Sequence, residues 1–82
     1  MTQAFVMLNV EASSEQEVLR NIKALDFVEQ AYVSYGAHDL IVKVKAETKS
    51  DLNNQILPKF MGNRLIKSLV TLVVIDDATK QG

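Results

Sequence analysis

The chain contains no cysteine and no tryptophan, and only one histidine, one proline and three glycines. Without cysteine there is no disulfide and no thiolate metal site, and the redox compartment stays open. A single histidine does not build a His-rich zinc centre. No apolar run approaches the ~18–20 residues of a membrane-spanning helix. The N-terminus lacks the charged segment ahead of an apolar stretch that marks a secretory signal. Basic excess is missing too: nine Lys and Arg stand against ten Asp and Glu, interspersed, for a net charge of −1. Nucleic-acid binders draw most of their affinity from phosphate contacts and show a basic stripe. Together these absences predict a soluble cytoplasmic protein with no cofactor or metal and no direct contact with nucleic acid or membrane.

What is present is enough for one small domain. The 48% hydrophobic content is that of a folded chain. At 82 residues the core is modest, and domains of this size commonly rely on disulfides, metals or partner subunits. The first two are excluded, so oligomerisation is the expected support.

Gln3 to Glu11 alternates, with Ala4, Val6, Leu8 and Val10 on one face and Phe5, Met7 and Asn9 on the other. This is strand periodicity. Ser14 with Glu17 fits a capping box ahead of a helix carrying Val18, Leu19, Ile22 and Leu25. Phe27 to Tyr35 and Asp39 to Glu47 read as strands joined at Gly36, hence an antiparallel hairpin. Thr48 to Met61 is a second helix, capped by Thr48 or Ser50, with Leu52, Ile56 and Phe60 spaced four apart. Pro58 is expected to end it near Leu57 or to kink it. Gly62-Asn63 marks a turn. Ile66 to Ile75 is apolar on both faces and is predicted to be a central or doubly covered strand. Residues 1–76 form the domain, and 77–82 read as a flexible C-terminal tail.

The order strand–helix–strand–strand–helix–strand predicts an α+β, ferredoxin-like βαββαβ fold. Its four-stranded antiparallel sheet carries both helices on one face. Phe5, Met7, Ile41 and residues of the last strand then place apolar surface on the other face. A contiguous apolar sheet face of this kind marks an interface.

Catalytic chemistry finds little footing. His38 and Asp39 are adjacent on an extended stretch and point to opposite faces, so they do not form a dyad. No second histidine or cysteine completes a nucleophile or a metal shell. Glu11, Glu15, Glu17 and Glu29 sit at a helix start or at solvent-facing positions. Lys43 and Lys45 fit a solvated strand face better than an RNA site, and Phe5, Tyr32, Tyr35 and Met61 fit core or interface better than a stacking platform. No enzymatic function is expected. Asp39 has two readings. Its carboxylate accepts from nearby backbone N–H groups and holds the turn, or it meets the ammonium of a zwitterion whose carboxylate lies on the turn amides.

Three segments carry a resemblance to a known family: Ala4-Phe5-Val6-Met7-Leu8-Asn9-Val10, Tyr35-Gly36-Ala37-His38-Asp39-Leu40-Ile41-Val42-Lys43-Val44, and Ile66-Lys67-Ser68-Leu69-Val70-Thr71-Leu72-Val73-Val74-Ile75. The chain resembles the effector-binding and oligomerisation (RAM) domain of the Lrp/AsnC transcriptional regulators. Gly36 and Asp39 match the family's Gly-x-Tyr-Asp turn, with His38 at the usual tyrosine position. The resemblance implies a homodimer closed through its sheets into a barrel-like α/β assembly, and a tetramer of dimers beyond it. It also implies an amino-acid effector bound between subunits. Carried over by position, Tyr35, Gly36, Ala37, His38, Asp39 and Thr71 line that site. Leu69 departs from the family by replacing the first threonine of a Thr-x-Thr motif, and Pro58 interrupts a helix that is usually long. The family's helix-turn-helix has no counterpart ahead of the first strand, so the likeness is to a stand-alone RAM domain. The alternative is an interaction protein without its own ligand that co-assembles with full-length Lrp/AsnC regulators through its sheet face.

Overall fold

A computed structural model describes residues 1–75, so the tail expected at 77–82 and the domain boundary at 76 lie outside the described residues. The elements are β1 (Thr2–Val10), α1 (Glu15–Lys23), β2 (Val28–Val33) and β3 (Leu40–Ala46), then a second helical segment, then β4 (Ile66–Val74). The sheet is antiparallel throughout in the order β2-β3-β1-β4. This is the expected βαββαβ arrangement.

Alternation along β1 decides the layering. Ala4, Val6 and Leu8 are fully buried, as are Leu40, Val42 and Val44 of β3. The helices add Val18 and Ile22 from α1, and Leu52, Ile56 and Phe60 from the second helical segment. Phe60 packs edge-on against Phe27 with ring centroids 6.0 Å apart. Each fully buried side chain of this size contributes about 1.5–3 kcal/mol relative to exposure. One face of the sheet thus holds the whole core.

Directly opposed residues share a face, so the pairing register lays out the other side. One row runs Tyr32, Ile41, Met7, Val70, and the next runs Gln30, Lys43, Phe5, Leu72. Tyr32, Val70 and Leu72 remain about half exposed there.

That layout corrects one expectation. β4 is an edge strand, not a central one. It is apolar on both faces because Leu69 and Val73 pack on the core while Val70 and Leu72 belong to the open face. Lys67 and Glu29 are the extra residues at two register shifts, one in each edge strand. Such bulges twist and interrupt an edge.

The helix starts also differ. The Ser14–Glu17 capping box does not form. Ser14 has φ −104 and ψ 3 and makes no side-chain cap bond, whereas the box needs an extended N-cap residue. Instead Ser13 takes φ 65, and the Ser14 N–H donates to the Glu11 carbonyl at 3.0 Å. The second helical segment is capped as expected by Thr48, an extended residue whose Oγ1 accepts from the Asp51 N–H at 3.1 Å.

Pro58 neither ends nor sharply breaks that segment. It runs as α2 (Lys49–Asp51), a π-helical stretch (Leu52–Ile56) and α3 (Leu57–Met61), with Pro58 at the start of α3. The Leu57 N–H reaches back five residues to the Leu52 carbonyl. Widening the turn in this way accommodates a residue that lacks its own N–H. Leu52, Ile56 and Phe60 all stay on the buried side.

Candidate functional site

The hairpin between β2 and β3 is tied down at its base and free at its tip. β2 ends at Val33, two residues before the expected Tyr35. The Ser34 N–H donates to the Asp39 carbonyl at 2.8 Å, and the Asp39 N–H donates to the Leu8 carbonyl at 2.9 Å. Gly36 has φ +116, with nothing within 4 Å of where a Cβ would sit. A side chain would therefore meet no neighbour there, but L residues rarely adopt that backbone.

Both side chains beyond the tip reach back to β1. The Val10 N–H donates to Asp39 Oδ2 at 2.9 Å. Val10 lies where β1 and β4 shift register, so this carboxylate holds the hairpin against the end of β1. Asp39 is half-buried, and losing this acceptor would leave the Val10 N–H unpaired. His38 Nδ1 lies 3.0 Å from Asn9 Oδ1, a half-buried contact between residues 29 apart in sequence. Asn9 pairs with Ser68 and shares the open face with Met7.

The tip is different. Tyr35 is fully exposed, and Gly36 and Ala37 are exposed as well. The backbone N–H groups of Gly36, Ala37 and His38 have no partner among the described residues. Unpaired amides beside a glycine at positive φ are hydrogen-bond donors available to a carboxylate or another small anion.

Tyr35, Gly36, Ala37, His38 and Asp39 are therefore together in one loop. Thr71 is not with them. It pairs with Val6 on β4, on the face that carries the helices, two strands away from β3 and roughly 10 Å farther along the sheet. Its Oγ1 is buried without a hydrogen-bond partner among the described residues. Within one chain the two halves of the expected site do not converge.

Asn9 is the residue that sequence reasoning missed. Its position on an alternating strand marks it only as open-face, and no local spacing links it to His38. A separate polar concavity of about 610 Å³ lies between Glu11, Glu17 and Asn63–Leu65, and includes none of the hairpin residues. No cluster of three or more His, Asp or Glu able to hold a metal occurs among the described residues.

The chain matches the family model for the Lrp/AsnC ligand binding domain over residues 3–81. Among solved structures, FFRP-DM1 superposes with a TM-score of 0.87 at 37% identity, covering 92% of this chain and 100% of that one. Hypothetical protein PHS023 from Pyrococcus horikoshii gives 0.86 at 36% identity, covering 94% of this chain and 93% of that one. The transcriptional regulator NMB0573 from Neisseria meningitidis, solved as an L-Met complex, gives 0.84 at 12% identity. At that identity it shows likeness of fold, and the 96% of this chain that aligns spans about half (53%) of the regulator. A comparison with curated proteins gives no match.

Proposed function

Because the chain belongs to the Lrp/AsnC ligand-binding domain family, we propose that it is an oligomeric regulatory module. Its effector is a small molecule, an amino acid, taken up at the Gly36–Asp39 hairpin. The observation that carries this reading is the contrast within that hairpin. Its base is fixed by four contacts to its own strands and β1, while the amides of Gly36, Ala37 and His38 point to no protein partner. A preorganised set of donors costs little further ordering when it binds. The L-Met bound to NMB0573 suggests the ligand class.

Assembly follows from the same geometry. The open face carries Tyr32, Ile41, Met7, Val70, Phe5 and Leu72 in adjoining rows, and a second copy is its simplest cover. Thr71 is out of reach of the hairpin in one chain and its Oγ1 is buried on the helix-bearing face, so the proposed site is the hairpin, closed by a neighbouring subunit rather than by Thr71. A cytoplasmic, non-enzymatic role fits a regulator family. No helix among the described residues is long and apolar enough to cross a membrane.

Calorimetry of the full chain against the common amino acids tests this reading. Saturable heat for at least one of them is expected, with a matching rise in melting temperature. No heat and no thermal shift across the panel would contradict it. The open face also favours a second reading, co-assembly with full-length regulators of the family. Capture of such a regulator by a chain that binds no amino acid is the result that would select it.

A further inference from the structure

The contact between His38 and Asn9 assigns a role to a residue outside the hairpin. Asn9 sits at the end of β1 on the open-face side, and its Oδ1 lies 3.0 Å from His38 Nδ1. An amide oxygen only accepts, so this pairing requires the imidazole proton on Nδ1. The second ring nitrogen, Nε2, then carries a lone pair. It diverges from Nδ1 across the ring and so points away from Asn9. Meanwhile Asp39, the other candidate acceptor of the loop, already receives the Val10 N–H on Oδ2.

We propose that Asn9 is a positioning residue for ligand recognition. By holding His38 in the Nδ1–H form, it leaves Nε2 as a fixed acceptor on the same loop as the unpaired amides of Gly36, Ala37 and His38. This inference rests on the proposed amino-acid site and gives it a polarity. The loop amides take a carboxylate, and His38 Nε2 takes an ammonium. The ligand class is therefore a zwitterion with a free amino group, and an acid that lacks one should bind poorly. Fixing the tautomer matters because a ring free to move its proton would offer a donor as readily as an acceptor.

His38 is the chain's single histidine, so its ring gives one unambiguous signal. The test records two-bond ¹H–¹⁵N correlations of the ¹⁵N-labelled full chain at about pH 8.5, where ordinary imidazole is neutral. The wild type, Asn9→Ala and Asn9→Asp are compared, and each is titrated with the common amino acids. The expected result is an Nδ1–H pattern in the wild type and in Asn9→Asp, which keeps an acceptor. Asn9→Ala should lose that pattern and bind the responding amino acid about ten-fold more weakly, the scale of one hydrogen bond. An N-acetylated form of the same amino acid should bind worse than the free one to the wild type. An Nε2–H pattern in the wild type would overturn the inference whatever binds, because Asn9 would then be donating through its amide nitrogen. Equal affinity of the wild type and Asn9→Ala would overturn it while leaving the amino-acid site standing. An Nδ1–H wild type that binds no amino acid would instead sink the site itself, and the selectivity with it.

Discussion

The two faces of the sheet are built from the same strands and differ in what finishes them. On β1, Ala4, Val6 and Leu8 are fully buried under the helices, while Phe5 and Met7 one residue away are only partly covered. On β4, Leu69 and Val73 pack on the core, and Val70 and Leu72 stand about half exposed. The helical face is completed within the chain. The open face carries a comparable series of apolar residues with no helix of its own, and that difference is the physical argument for a second copy. Scattered apolar surface is ordinary, but adjoining cross-strand rows of it are not.

The largest expected effect comes from placing a charge on the finished face. Val6→Asp puts a carboxylate where the side chain is fully buried, and should cost roughly 4 kcal/mol or more. Thermal melting followed by circular dichroism should show a chain that is unfolded or close to it. The matching change on the other face is Leu72→Asp. Its residue is about half exposed, so the single chain should keep its fold while sedimentation shows a smaller particle. If Leu72→Asp leaves the assembly intact, the open face is not the interface and the comparison breaks.

Smaller effects sharpen the same contrast within the hairpin. Gly36→Ala meets no neighbouring atom, yet forces an L residue to φ +116. A loss of about 1–3 kcal/mol is expected, from backbone strain alone. Asp39→Ala removes the acceptor of the Val10 N–H and should lower stability by about 0.5–2 kcal/mol. Denaturant melts separate this effect from binding. If Asp39 also meets the ligand ammonium, affinity should fall by more than the stability loss explains, with assembly retained. Thr48→Ala, far from the hairpin, loses only the cap to Asp51 and should cost about 1 kcal/mol in the same melts.

Strand and helix identity were legible because alternation and four-residue spacing reflect burial directly. Ala4, Val6 and Leu8 could not be read as anything but one face of a strand. Sidedness in space was less legible. A strand apolar on both faces looks the same whether it is central or, like β4, an edge strand whose second face is open. Pro58 announced a disturbance but not its form, since the widened turn lies upstream, at Leu52–Ile56. The Ser14–Glu17 box failed on a backbone angle that residue types do not specify. At the site, the Gly36 turn stood out for its glycine. The ties from Asp39 to Val10 and from His38 to Asn9 span 29 residues, and no local pattern encodes them.

The measurement closest to the central claim is the sedimentation equilibrium of the full chain across a wide concentration range. A dimer or a larger closed multiple is predicted, persisting as the protein is diluted to micromolar levels. A chain that remains monomeric at high concentration would contradict both the reading of the open sheet face as an interface and that of the hairpin as part of a site shared between subunits.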